Sequence, residues 1–146
     1  MKKNLRVKTS KFIDETYRVS FKFNGSKYYG YRGDTLASAL LANNIHLVGR
    51  SFKYHRPRGF LGAGVEEPNA QVQLYKGAKT EPNAIATTVE LVEGLVAKSQ
   101  NCWPSVSLDF GEINNILSKF FPAGFYYKTF MWPKSFWYKV YEPFIR

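Results

Sequence analysis

YRVSFKFNGSKYYGY, residues 17–31, decides the fold. Tyr17, Val19, Phe21 and Phe23 alternate with Arg18, Ser20 and Lys22, the period of a strand with one buried face. Asn24-Gly25 supplies the positive φ angles of a tight hairpin turn, so a return strand is expected over 27–31. Gly33-Asp34-Thr35 then opens a helix, with Asp34 or Thr35 accepting from the free N–H groups of the first turn. Leu36, Ala39 and Leu40 line one face, Ala37 and Leu41 widen it, and Asn43-Asn44 is a left-handed stop. Beyond a long loop, Ala70, Val72 and Leu74 alternate with Gln71, Gln73 and Tyr75, a third strand ending at Lys76-Gly77. Glu81-Pro82-Asn83 reads as a turn, and 85–91, rich in Thr and Val, as a fourth strand. Glu93-Gly94 leads into a short last strand over 95–97. Hairpin, helix, long loop and further strands make an α+β fold: a β-grasp, ferredoxin-like sheet of four to five strands crossed by one helix.

Composition bounds what such a sheet belongs to. At 146 residues and 45% hydrophobic, the chain holds one domain with a real core and a modest appendage. Twenty-one Lys and Arg against eleven Asp and Glu give a net charge of +10. That balance predicts attraction to nucleic acid, a membrane surface, a phosphorylated cofactor or an acidic subunit. The single cysteine, Cys102, excludes an internal disulfide framework and any four-cysteine metal site, and it fits a reducing compartment, so a cytoplasmic protein is expected. Residues 1–14 are basic and read as a flexible arm with solvated charges. They lack the apolar stretch of a signal peptide, and no run approaches the roughly 20 apolar residues of a membrane span.

The long loop GRSFKYHRPRGFLGAG, residues 49–64, concentrates the candidate chemistry. Arg50, Lys53, His55, Arg56 and Arg58 are candidates for cofactor binding or a subunit interface. Arginine offers parallel donors to phosphate or carboxylate, and the glycines beside it let backbone approach a ligand closely. The competing reading is a basic loop held by Glu66-Glu67 or by acidic groups of a partner. His55, between Tyr54 and Arg56, is expected among positive charges, and no spacing supplies a partner for general-base work, so no catalytic residue is assigned. Cys102, beside Trp103-Pro104 and without an adjacent histidine, reads as a small hydrophobe.

Strand order and loop position are those of a plant-type ferredoxin, whose loop carries a 2Fe–2S cluster on C-x4-C-x2-C with a fourth cysteine further on. Here that spacing falls on Leu61, Glu66 and Asn69, with Thr87 near the fourth position. These are degenerate cluster-ligand positions, and no metal is expected. A basic, aromatic-rich chain also fits a stand-alone module binding single-stranded nucleic acid or another protein. Against nucleic acid, the aromatics gather in a terminal segment with Ile116, Leu117 and Val140 instead of alternating with cations along strands.

Past Ser99 the composition shifts. Trp103-Pro104 breaks the pattern, and Asp109 is a candidate cap for a helix through Ile113, Ile116 and Leu117. Between Phe120 and Phe144 lie twelve Phe, Tyr or Trp residues in twenty-five. Trp132-Pro133 suits a helix start, and Phe136, Trp137, Val140 and Tyr141 then share a face. So many rings pack on the sheet or await another chain.

GDTLASALLANNIHLVGRSFKYHRPRGFLGAGVEEPNAQVQL, EPNAIATTVELVEGL and FFPAGFYYKTFMWPKSFWYKVYEPFIR together resemble the amino-terminal region of the alpha subunit of heterotetrameric sarcosine oxidase, over 17–146. The resemblance implies a ferredoxin-like domain without a cluster over 15–98, and a linker and aromatic docking arm over 99–146 that reaches toward a missing dinucleotide-binding domain. It implies further alpha-subunit domains and beta, gamma and delta subunits as partners. The implied complex oxidatively demethylates sarcosine to glycine with FAD, FMN, NAD and tetrahydrofolate, none of them expected in this chain. The chain is then a fragment of an alpha subunit or a separately encoded piece, not catalytic by itself.

Overall fold

The computed structural model describes residues 6, 11–76 and 79–117. The hairpin forms as its sequence dictates. β1 (Asp14–Phe23) and β2 (Ser26–Arg32) pair antiparallel around Asn24 and Gly25, at φ +50° and +81°. α1 (Leu36–Ala42) follows, and its cap is Thr35, whose side chain accepts from the Ser38 N–H while the Ser38 hydroxyl accepts from the Thr35 N–H. Asn44, at φ +61°, turns the chain out of the helix.

The loop that follows carries a two-residue ladder, β3 (Gly49–Arg50) against β4 (Pro57–Arg58). Then come β5 (Gln71–Lys76), β6 (Lys79–Ile85) and β7 (Leu95–Ser99). The main sheet has the order β2-β1-β7-β5-β6, with β7 parallel to β1 and every other pair antiparallel. The first and last strands of the fold thus meet at its centre, the topology of a β-grasp. Leu36, Ala39 and Leu40 of α1 are buried with Val19, Phe21, Phe23, Val72, Leu74 and Ala97 from the sheet. Gly30 leaves room for α1 and for Leu91: a Cβ there would lie 2.4 Å from Leu91 Cδ2 and 3.0 Å from Ala39 Cβ.

Three expectations need correction. The fourth strand is Lys79–Ile85 and not 85–91, and it includes the Pro82 and Asn83 that read as a turn. Proline is tolerated because β6 is a sheet edge, and the register shift against β5 accommodates Asn83 at φ +58°. The stretch after it instead supplies carbonyls to the first turn of α1, which would otherwise be unsatisfied. Leu36 N donates to Val89 O at 2.8 Å and Ala37 N to Ala86 O at 3.0 Å.

The basic arm is not solvated at Arg6, whose guanidinium pairs with the buried Asp34 carboxylate at 2.6 and 2.9 Å and stacks 5.0 Å from the Tyr31 ring. Asp34 is therefore an anchor for the arm instead of the helix cap. The third correction is the short ladder, β3 against β4, within the stretch expected to be loop throughout. At the carboxyl end, Asp109 does cap a turn, the 3-10 segment Phe110–Glu112, which continues into α2 (Ile113–Ile116). The aromatic stretch from Phe120 to Phe144 and its helix start at Trp132-Pro133 lie outside the described residues.

Candidate functional site

Five basic candidates lie on one loop, but the fold separates them into two groups. Arg50 and His55 point inward. The 51–56 turn is tied by Ser51, whose N–H donates to Arg56 O while its carbonyl and hydroxyl accept from the His55 and Arg56 N–H groups. This turn holds His55 at φ +52°, with ring Nδ1 2.7 Å from Asp109 Oδ2. Arg50, 6% exposed, donates to the carbonyls of Val106 and His55 and pairs with Glu112 at 3.1 Å. Its Nε is also 3.8 Å from the Asp109 carboxylate.

His55 therefore faces a carboxylate and not the purely positive surroundings its neighbours suggested. Burial pushes the Asp109 carboxyl upward, but the Trp103 N–H, the His55 ring and the Gly111 N–H outweigh it and hold it below its ordinary value. Gly111 fits flat against the imidazole, since a Cβ there would lie 2.2 Å from Cε1 and Nδ1. Together these contacts clamp the 103–112 segment onto the loop. Asp109 and Glu112 thus hold the basic half of the loop at Arg50 and His55, while Glu66-Glu67 holds its glycine-rich end.

Lys53, Arg56 and Arg58 form the outward group. Lys53 and Arg56 flank Tyr54, their cationic groups 5.1 and 5.0 Å from its ring centre, and Arg56 Nε donates to Asn115 Oδ1 at 3.0 Å. Phe52, beside them, is 86% exposed. Arg58 donates to Asn69 Oδ1 and lines a polar recess of about 330 Å³ with Asn69, Gln71, Asn83, Gln100 and Asn101. No carboxylate lines that recess, so an anionic group entering it would meet no like charge.

The glycine-rich turn is organised around Glu67, one of the Glu66-Glu67 pair expected to hold the loop. Its side chain is buried and accepts backbone N–H bonds from Leu61 (2.6 Å), Gly62 (2.5 Å), Asn69 (2.7 Å) and Ala70 (3.2 Å). Desolvation raises its pKa, yet the donors from Asn69, Gly62, Leu61 and Ala70 pull it below the ordinary value, so the carboxylate is ionised. Glu66 lies on the surface and accepts from the Ala63 and Gly64 N–H groups. The Thr87 hydroxyl donates to Gly64 O at 2.7 Å.

An iron–sulfur cluster does not fit this donor set. Iron in such a site needs thiolates, and the four positions of the ferredoxin spacing offer an aliphatic side chain, a carboxylate committed to local N–H groups, a carboxamide bonded to Arg58 and a hydroxyl bonded to Gly64. Among the described residues, no group of three or more His, Cys, Asp or Glu side chains is placed to hold a metal ion. Cys102 lies instead in the wall of a separate cavity with Tyr75, Lys98 and Pro104, its thiol pushed up by burial and by Asp109. The sequence named the Glu66-Glu67 pair but not which of the two is buried; the signal is the turn itself, whose inward N–H groups require an acceptor.

Among the described residues, no helix is long and apolar enough to cross a membrane. The chain is 60% identical over 134 residues to a protein named sarcosine oxidase subunit alpha from Rhizobium meliloti, covering 92% of this chain and 14% of that one. It is 39% identical over 88 residues to the protein of the same name from a Corynebacterium strain, covering 58% and 9%. The chain thus spans about a seventh or less of the length of these relatives. Among solved structures, L-proline dehydrogenase from P. horikoshii is similar at 24% identity and a TM-score of 0.44, over 60% of this chain and 16% of that one. The profile of the 2Fe-2S iron-sulfur cluster binding domain matches residues 16–102, nearly all of the sheet with its helix and loop, and the chain belongs to that family.

Proposed function

We propose that the chain is an amino-terminal structural and assembly module of a flavin-dependent sarcosine oxidase. The observation that carries this reading is the 60% identity to a sarcosine oxidase alpha subunit across 92% of the chain. The oxidative demethylation of sarcosine to glycine belongs to the whole complex, in the cytoplasm. FAD, FMN, NAD and tetrahydrofolate bind there to the further alpha-subunit domains and to the beta, gamma and delta subunits. The division into a basic arm over 1–14, a ferredoxin-like domain over 15–98 and a docking arm over 99–146 belongs to the same reading. The relatives lend no support to a nucleic-acid-binding module.

Within this module the outward cations do the recognising. Lys53 and Arg56 flank the half-buried Tyr54 beside the exposed Phe52, an apolar centre with a basic rim, which suits an acidic partner surface. Arg58, at its recess, suits a flavin phosphate. Arg50 and His55 hold the loop, and Arg50 also contributes to the wall of that recess. The test is charge reversal in the assembled enzyme. Lys53→Glu with Arg56→Glu is expected to weaken subunit assembly about tenfold or more, while leaving the melting temperature of the isolated chain unchanged. Undiminished assembly and flavin content would sink the assignment.

A further inference from the structure

The Glu67 carboxylate has a geometry that an incidental surface contact does not produce. Its Oε2 accepts from Leu61 and Gly62 and its Oε1 from Asn69 and Ala70, so both oxygens are used and the donors come from two separate stretches of chain. The residue is 2% exposed. Two of the donors, Leu61 and Asn69, stand at positions where the ferredoxin spacing puts cysteines. Backbone N–H groups converging on one point form a nest for an anion, and this nest sits where its family binds a cluster.

We infer that Glu67 is the resident anion of this cradle: the chain supplies its own carboxylate where a cluster would sit, and that carboxylate locks the loop without iron. It follows that the cradle is a carboxylate-binding site whose ligand is covalently attached. Glu67→Ala removes a CH₂–COO⁻ fragment, the size and charge of acetate, and leaves four N–H groups facing the vacancy. Free acetate fills both oxygen positions, whereas chloride offers a single centre.

The experiment is thermal melting of the full 146-residue chain at neutral pH. Glu67→Ala is expected to lower the melting temperature by roughly 10 °C, because buried donors lose a charged acceptor. Added acetate is expected to restore about half of that loss, well beyond its effect on the unaltered chain and beyond chloride at equal ionic strength. A variant melting with the parent, or one that acetate and chloride stabilise equally, overturns the inference. If Glu67→Ala does not fold, amide NMR of the unaltered chain decides. The N–H resonances of Leu61, Gly62, Asn69 and Ala70 are expected to titrate together with the Glu67 carboxyl carbon, at one pKa below 4.5. Amides that titrate apart from that carboxyl overturn it.

Discussion

Removing the Asp109 carboxylate strands three donors at once: the Trp103 N–H at 3.0 Å, the Gly111 N–H at 3.1 Å and the His55 ring at 2.7 Å. Arg50 also loses one of its two carboxylate neighbours. Asp109→Ala is therefore expected to cost about 3 kcal/mol in urea unfolding, the scale of a buried charge network with one partner deleted. Asp109 and Glu67 are both held below their ordinary values of 3.8 and 4.5. Carboxyls depressed in the folded state contribute stability that is complete above those values and is lost as pH falls through the lower folded ones. Melting temperatures are thus expected to fall steeply on acidification below about pH 4, and Glu67→Gln is expected to flatten that decline. An acid limb unchanged by Glu67→Gln would show that Glu67 does not titrate with folding. Asp109 was legible in the sequence as a cap, which is a local property. Its pairing with His55 was not, because 54 positions separate them and only the β3–β4 ladder and the turn at 51–56 bring them together.

At the scale of elements, the sequence was most legible where a local rule decides. The Asn24-Gly25 turn fixed β1 and β2, and the Thr35 cap fixed the start of α1. Edge strand β6 was illegible because Pro82 and Asn83 carry turn chemistry that only an edge position tolerates. The Thr- and Val-rich stretch beyond it looked like a strand by composition, while its carbonyls are spent on the helix. Helix and hairpin are expected to be the element pair most sensitive to small changes. Gly30→Ala places a methyl 2.4 Å from Leu91 Cδ2, and is expected to cost about 2 kcal/mol as an overpacking defect. Thr35→Ala should cost about 1 kcal/mol as a lost cap. Equal stabilities of Gly30→Ala and the parent chain in denaturant titrations would mean that Leu91 and α1 do not press on β2 at that point.

For the whole molecule, a basic exterior and an apolar flank set the expectation of partners. Trp103, Leu108, Phe110, Ile113 and Ile116 are each more than half exposed, on the segment that leads into the aromatic stretch. Apolar groups gathered in this way mark interfaces, so the isolated chain is expected to self-associate or bind a hydrophobic dye. A clean monomer without dye binding in light scattering and fluorescence contradicts that. The net charge of +10 announced an acidic partner without naming one, since charge reports attraction and not identity. Which cations face outward became clear only once the Asp109 clamp had claimed Arg50 and His55.

On the proposed function, this chain assembles with the rest of a sarcosine oxidase. Its most direct test is co-expression of the tagged chain with the remaining subunits and with an alpha subunit lacking the matching region, followed by size-exclusion chromatography and an assay of peroxide release from sarcosine. Stoichiometric co-elution of the chain and restored oxidase activity are expected. Elution of the chain alone, beside an oxidase that assembles and turns over without it, would rule out the assembly role.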